Sequence, residues 1–135
     1  EGDLMSDSGL LYVSGRGNRW DSPEHHWGVL GEHGGQCHTD NGASFIAVRL
    51  EQHTQITGIV IQNRAGGNQW RAGGSRIEIS EDGETWESIG TLNGSRAIYR
   101  VSFEDAKHRC AWVRIAKDAN CLHVIRFLVY GHRRS

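Results

Sequence analysis

The side chains best suited to recognition chemistry are an indole and its hydrogen-bonding neighbours in a glycine-rich segment at residues 63–75. Trp70 lies near the centre of this segment, which has four glycines and no alternating apolar residues. An indole on such a loop offers a flat apolar face against which the CH groups of a sugar ring can pack. Arg64, Asn68 and Arg71 can then hydrogen-bond the hydroxyl groups of that ring. The alternative is that the Trp70 ring closes the end of the protein core.

A second segment, residues 14–44, is rich in Gly, Asn, Asp and His and has no apolar periodicity. A stretch of this length without regular structure in a compact domain is usually functional. Trp20 and Trp27 flank two histidines here, and together with His26 they can form the opposite wall of the same cleft. His38 is a further candidate for a polar contact. The alternative is that one of the two tryptophans packs beneath the loop as a small core.

Catalysis and metal binding have weaker support in the sequence. No nucleophile-elbow serine motif, phosphate-binding loop or HExxH zinc motif occurs, so we expect a protein that is not an enzyme. The histidine and cysteine spacings match no standard zinc site, which leaves any metal unknown. The formal net charge of −1 argues against a nucleic-acid partner. The apolar runs are only a few residues long, so no segment is expected to span a membrane.

Short β-branched runs closed by Gly, Asn or Asp recur along the chain, and helical periodicity is poor throughout. This pattern is typical of an all-β sandwich. The length of 135 residues predicts a single domain over residues 1–135. The predicted strands cover residues 44–50, 56–62, 76–80, 98–103, 111–115 and 122–130. We expect the last two of these to pair with each other, because few residues separate them.

Local signals refine this pattern of strands. Gly58 interrupts an apolar run and predicts a bulge or a close backbone approach. The Asp82-Gly83 dipeptide lies between strand-like flanks and predicts a hairpin turn. Trp86 and Trp112 each lie in an apolar strand context, which predicts that both belong to the core.

The order of these segments resembles that of one family, the discoidin or coagulation factor five/eight type C domain, a group that includes galactose-binding-like carbohydrate modules. Six motifs in the same order carry the resemblance, which covers residues 37–131. They are CHTD (37–40), FIAVRL (45–50), ITGIVIQNR (56–64), IEISEDGETW (77–86), WVRI (112–115) and LHVIRFLVYG (122–131).

The resemblance implies an antiparallel jelly-roll β-sandwich of about eight strands. It also implies a non-catalytic binding module, usually attached to a larger extracellular or secreted protein, whose ligand sits on loops at one end. Ligands in the family are sugars, anionic phospholipids or proteins. Because the loop at residues 63–74 has one tryptophan and no aliphatic pair, we expect a glycan or polysaccharide. A protein or an anionic phospholipid surface is the alternative partner.

The chain departs from the family pattern at a position that often supplies a calcium ligand. Arg126 stands where the family commonly has a glutamate, and a guanidinium cannot coordinate calcium, which needs oxygen ligands. Backbone carbonyls around residues 28–35, with Glu32 or Asp40, leave a structural calcium ion open. No other cofactor is expected.

The cysteines form a second departure. Cys37 and Cys121 stand where the family often has aromatic residues, and this paired exchange predicts a disulfide between them. A Cys110–Cys121 bond is the alternative, and the pair that closes many family members at their termini is absent. A disulfide would indicate an oxidising compartment.

Overall fold

The protein is described by a computed structural model in which nine strands and two short 3₁₀ turns are formed by the described residues. These are residues 2–14, 28–31, 34–35, 37–39, 42–64, 69–103, 108–118 and 121–133. The strands are β1 (Asp3–Leu4), β2 (Leu10–Val13), β3 (Cys37–His38), β4 (Ser44–Asn63), β5 (Arg76–Ser80), β6 (Glu87–Thr91), β7 (Ile98–Ser102), β8 (Arg109–Lys117) and β9 (His123–Arg133). The 3₁₀ turns are Ser6–Ser8 and Gln69–Ala72.

Strand β4 is 20 residues long and belongs to both layers of the molecule. Its first half pairs with β2 and β8, and its second half pairs with β7 and β9. The strands β5 and β6 extend the first layer beyond β8, while β1 and β3 flank β9 in the second. All these pairings are antiparallel, so the predicted all-β antiparallel sandwich is confirmed. The two strands predicted at residues 44–50 and 56–62 are one continuous strand.

The core lies between the two layers and is built from alternating positions of β4. Ile46 and Val48 are buried in the first half, and Ile59 and Ile61 are buried in the second. The buried positions therefore change from even to odd numbers along the strand. A register shift at Gly58 produces this change, because one extra residue moves every later side chain to the opposite face. The predicted bulge at Gly58 is confirmed.

The prediction that residues 111–115 pair with residues 122–130 is wrong. β8 pairs with β4 and β5, whereas β9 pairs with β4, β1 and β3, so the two strands lie in different layers. β4 separates them, because its bend presents one half to β8 and the other half to β9. The short connection between β8 and β9 therefore crosses from one layer to the other.

The prediction that Trp86 and Trp112 belong to the core is also wrong. Val113 and Ile115 of β8 are fully buried, and strand alternation therefore turns Trp112 to the outer face of the first layer. The Trp112 ring is half-buried there and meets the Trp86 ring edge-on, with 6.3 Å between ring centroids. Arg114 stacks on Trp86, with 3.9 Å from its Cζ to the ring centroid. Both tryptophans thus form a small cluster on the outside of the sheet.

No disulfide joins Cys37 and Cys121 in the structure, and the predicted bond is wrong. Cys37 lies opposite Val124, so Cys121 is three residues away along the neighbouring strand. Three extended residues span about 10 Å, whereas bonded cysteines need Cα atoms within about 7 Å. The alternative Cys110–Cys121 bond is absent as well, because Cys110 lies near the start of β8 and Cys121 follows its end. All three thiols are buried.

The predicted hairpin turn at Asp82-Gly83 is confirmed, and it joins β5 to β6. The Asp82 carboxylate accepts hydrogen bonds from the backbone N–H groups of Glu84 and Thr85, at 2.8 and 2.9 Å. Gly83 has φ of +82°, and a Cβ added there would lie 2.8 Å from Cε2 of Trp112. Both the backbone conformation and the neighbouring indole therefore require glycine at this position.

No helix in the described part of the chain is long and apolar enough to cross a membrane.

Candidate functional site

Several loops converge at one end of the sandwich, which we call the site end. It is defined by three backbone pairs: Ser44 with Lys117, Asn63 with Val124, and Thr39 with Leu122. Both ends of β4 lie here, because the strand changes layers at the opposite end. Ser14 also lies near this end, since its N–H donates to the carbonyl of Phe45 at 3.0 Å.

Trp70 lies at the site end on the 3₁₀ turn Gln69–Ala72, and its side chain points largely into solvent. The residue is 52% exposed, one of the few large apolar residues so exposed among those described. Ala72, two residues later, is buried and anchors the turn in the core. The N–H of Gly73 donates to the Trp70 carbonyl at 3.1 Å and closes the turn. This exposure favours a binding platform over a ring that closes the core.

The ammonium group of Lys117 holds this turn against the end of β8. Its Nζ atom donates to the carbonyl oxygen of Arg71 at 2.8 Å and to that of Gly73 at 2.5 Å. Partial burial lowers the pKa of Lys117 from its ordinary value. The turn that carries Trp70 is therefore fixed by a residue from a distant strand. Lys117 was not among the predicted site residues.

Arg71 was predicted to contact a ligand, but its guanidinium is directed into the protein. One terminal nitrogen donates to Sγ of Cys121 at 3.0 Å, and the Cζ atom lies 5.7 Å from the Trp70 ring centroid. The buried Nε of Arg71 has no hydrogen-bond partner among the described residues. This geometry is that of a cation–π contact, in which the Arg71 guanidinium supports the Trp70 indole.

Asn63 and Arg64 lie where β4 ends. The Asn63 side chain is buried, accepts a hydrogen bond from the Arg64 N–H at 3.0 Å and donates to the Arg96 carbonyl at 3.1 Å. Asn63 thereby joins the end of β4 to the loop that precedes β7. Arg64 is half-buried beside it, also at the site end.

The remaining predicted contacts are less fully described. The backbone of His38 is part of β3 and pairs with His123 at the site end. The other four predicted residues lie outside the described residues: Trp20, His26, Trp27 and Asn68. The structure thus brings Trp70, Arg64, Arg71 and the His38 backbone to one end.

The chain matches the model of the F5/8 type C domain family over residues 12–121, which is most of its length. It belongs to the F5/8 type C domain family. A comparison with curated protein sequences gave no match.

Solved structures of the same fold are similar to this F5/8 type C domain at low sequence identity. A carbohydrate-binding module from Clostridium perfringens, in complex with GalNAc-β-1,3-galactose, has a TM-score of 0.77 at 13% identity, covering 96% of this chain and 100% of that one. The family 32 module of NanJ from the same organism, in complex with galactose, has a TM-score of 0.74 at 16% identity, covering 94% and 97%. A fucolectin from striped bass serum has a TM-score of 0.73 at 20% identity, covering 97% of this chain and 50% of that one.

Among the described residues around the expected calcium position lie one guanidinium and two engaged carbonyl oxygens. Arg126 places a guanidinium against the backbone of Gly34, since a Cβ added to Gly34 would lie 3.1 Å from its Cζ. The carbonyl oxygen of Gly28 accepts from the Gly34 N–H, and that of Val29 accepts from the Phe127 N–H. These two carbonyl oxygens are therefore engaged within the protein, and the nearby charge is positive.

Glu32 and Asp40, the acidic residues considered for calcium, lie outside the described residues. In the part of the chain that is described, no three His, Cys, Asp or Glu side chains come close enough together to hold a metal ion. Calcium binding by this F5/8 type C domain stays a prediction.

Proposed function

We propose that this F5/8 type C domain is a non-catalytic module that binds a glycan at the site end, with Trp70 as its stacking platform. The observation that carries the proposal is a half-exposed indole on a turn that Lys117 and Arg71 hold in place. A ring fixed before the ligand arrives loses little conformational entropy on binding, which favours affinity. Similar modules that bind galactose-containing sugars support the choice of ligand class.

Polar contacts to the glycan come from side chains around the indole. Arg64 and His38 lie at the same end of the sandwich, and Asn68 directly precedes the turn in sequence. Trp20, His26 and Trp27 lie outside the described residues, and we expect them to contribute the far wall. Arg71 orients Trp70 rather than contacting the sugar.

The affinity for one sugar ring is weak in this proposal. About twelve heavy atoms at about −0.3 kcal/mol each give about −4 kcal/mol, which corresponds to a Kd near the millimolar range. Useful retention then needs an extended glycan or several linked modules. We therefore propose that the domain is part of a larger extracellular protein, in line with the serum source of the similar fucolectin.

A glycan array followed by titration calorimetry tests the proposal. The native chain should bind one glycan class, and Trp70→Ala should abolish that binding. Leu10→Ala is the matched control, because Leu10 is an exposed apolar residue (58%) near the opposite end of the first layer. Binding to anionic phospholipid vesicles without binding to any glycan would contradict the proposal, as would full glycan binding by Trp70→Ala.

A further inference from the structure

An open cleft, separate from the Trp70 platform, is lined by the end of β6 (Thr91), by the connection to β7 and by residues 98–101 of β7; we call it the β6–β7 cleft. β6 pairs with β5 in the first layer, and β7 pairs with β4 in the second. The cleft has a volume of about 390 Å³, which falls in the range of sites for small ligands.

Two arginine side chains give the cleft its charge. Arg96 and Arg100 both line it and are both exposed, and no carboxylate is among its lining residues. The Nε of Arg96 donates to the Asn93 carbonyl at 3.2 Å, which fixes the guanidinium without neutralising it. The described residues form no ion pair with either arginine. Guanidinium groups remain charged at all ordinary pH values and match carboxylate and sulfate oxygens.

Tyr99 positions the turn from which Arg96 extends. Its hydroxyl donates to the Gly94 carbonyl at 2.7 Å and accepts from the Arg96 N–H at 3.3 Å. Ile98, which is 40% exposed, supplies apolar surface, whereas Leu92 is almost fully buried. An exposed apolar side chain beside planar guanidinium donors suits a sugar ring that carries an acidic group.

The cleft begins beside the turn that carries Trp70. The Gly74 N–H donates to the Leu92 carbonyl at 2.7 Å. The Gly73 backbone packs against Gly94, since a Cβ added to Gly73 would lie 2.6 Å from the Gly94 carbonyl oxygen. A glycan stacked on Trp70 can therefore extend over this contact into the cleft.

We propose that the β6–β7 cleft binds the carboxylate or sulfate group of an acidic saccharide, so that the domain prefers acidic glycans to neutral ones. This inference rests on the proposed function, because the same ligand occupies the Trp70 platform. The ligand chemistry is an anionic oxygen group on a sugar ring, either a uronate or a sulfate ester.

Titration of the full chain with three monosaccharides, followed by NMR of backbone amides, tests the cleft independently of Trp70. Glucuronate and glucose 6-sulfate should shift the amides of Gly94 and Arg100, whereas glucose should not. These shifts should persist in Trp70→Ala, which separates this inference from the proposed function. Equal shifts with glucose, or no shifts with either acidic sugar, would overturn the inference. Inorganic sulfate or an oligoglutamate peptide binding more tightly than glucose 6-sulfate would also overturn it.

Paired neutral and acidic oligosaccharides test the preference itself. Arg96→Gln combined with Arg100→Gln should weaken the acidic member about tenfold and leave the neutral member unchanged. Arg109→Gln removes an exposed arginine near the start of β8 and is the matched control. A uronate series and a sulfate series distinguish the two sources of the anion. An equal loss for neutral and acidic members, or no loss for either, would contradict the assignment.

Discussion

The ammonium of Lys117 donates to the carbonyl oxygen of Arg71, 2.8 Å away, and so joins the end of β8 to the residue that follows Trp70. The same nitrogen reaches the carbonyl of Gly73 on the far side of the turn. One charged group thus bridges both sides of a turn whose sequence contributes only one apolar anchor, Ala72. The orientation of the indole depends on a residue outside its own loop.

Replacing Lys117 with methionine should weaken glycan binding and lower stability together. The variant keeps the side-chain length but removes both donors, leaving two carbonyls without them. We expect the free energy of unfolding to fall by about 2 kcal/mol. Urea denaturation and calorimetry with the array-selected glycan measure the two effects. Lys117→Arg retains the charge and should lose less stability and less glycan affinity. Native glycan affinity in Lys117→Met would show that Lys117 does not hold the Trp70 turn in its binding position.

Trp70→Ala should leave stability nearly unchanged while it removes glycan binding. The side chain is half-exposed and contributes little to the core, so we expect the free energy of unfolding to change by less than about 0.5 kcal/mol. Thermal melting of the variant beside the native chain measures this. A large drop in Tm would show that the Trp70 ring closes the end of the protein core.

Glu78 should make the domain sensitive to acid. Its carboxylate accepts from Arg114 Nε at 2.7 Å and from Arg76 Nε at 3.1 Å. Burial alone would raise the pKa of Glu78, but the hydrogen bonds and charges of the two arginines outweigh it and lower that pKa below the ordinary value of 4.5.

A carboxyl whose pKa is lower in the folded state stabilises the fold above its unfolded pKa and loses that contribution as the pH falls through the folded value. The free energy of unfolding should therefore decrease below about pH 4.5. Glu78→Gln should flatten this part of the profile, measured by urea denaturation from pH 2 to 7. Glu84→Gln, at an exposed turn position, is the control and should leave the slope in place. An unchanged slope in Glu78→Gln would show that the ion pairs of Glu78 with Arg76 and Arg114 are not the source of the acid sensitivity.

The three cysteines should all be reduced and unreactive in the native protein. All three thiols are buried from reagents. Burial, with a smaller contribution from the charge of Glu81, also raises the pKa of Cys110 to about 12, so almost none of the Cys110 thiolate is present at pH 8. Iodoacetamide should label no cysteine in the folded chain and all three after unfolding without reductant, read by mass spectrometry. A mass deficit of two labels would reveal a disulfide.

Gly83→Ala should destabilise the β5–β6 hairpin by about 2 kcal/mol. The substitution forces a left-handed conformation on alanine and places its Cβ against the Trp112 indole. Gly94→Ala is a matched control, because Gly94 has a φ of +77° but nothing within 4 Å of an added Cβ. The difference between their free energies of unfolding isolates the contact with Trp112, and equal values would show that the contact costs nothing.

Alternation in the sequence was sufficient to predict most strands and their inward residues. Ile77 and Ile79 alternate along the predicted strand at residues 76–80 and are both buried, and Tyr99 in the predicted strand at residues 98–103 is buried as well. The neighbours of each strand could not be predicted in the same way. β8 pairs with strands far upstream rather than with the adjacent β9, and such pairing depends on the bend in β4, which no local pattern encodes.

The candidate site was predictable only in part for a similar reason. Trp70 was identified because an indole among glycines lacks apolar partners in its own segment. Lys117 was missed because its partners are backbone carbonyls 44 and 46 residues away in sequence, and carbonyls carry no residue-specific signal. The inward direction of Arg71 toward Cys121 depends equally on a contact that forms only in the folded chain.

The passage of β4 through both layers has a kinetic consequence. Neither layer can be completed before this strand is in place, and its far half pairs with β9, as in the pair of Thr54 with Arg133. Contacts of such long sequence separation require closure of large loops, which slows folding. The two layers should therefore form in one concerted step, with refolding slow for a domain of this size and without an intermediate in which a single layer stands alone.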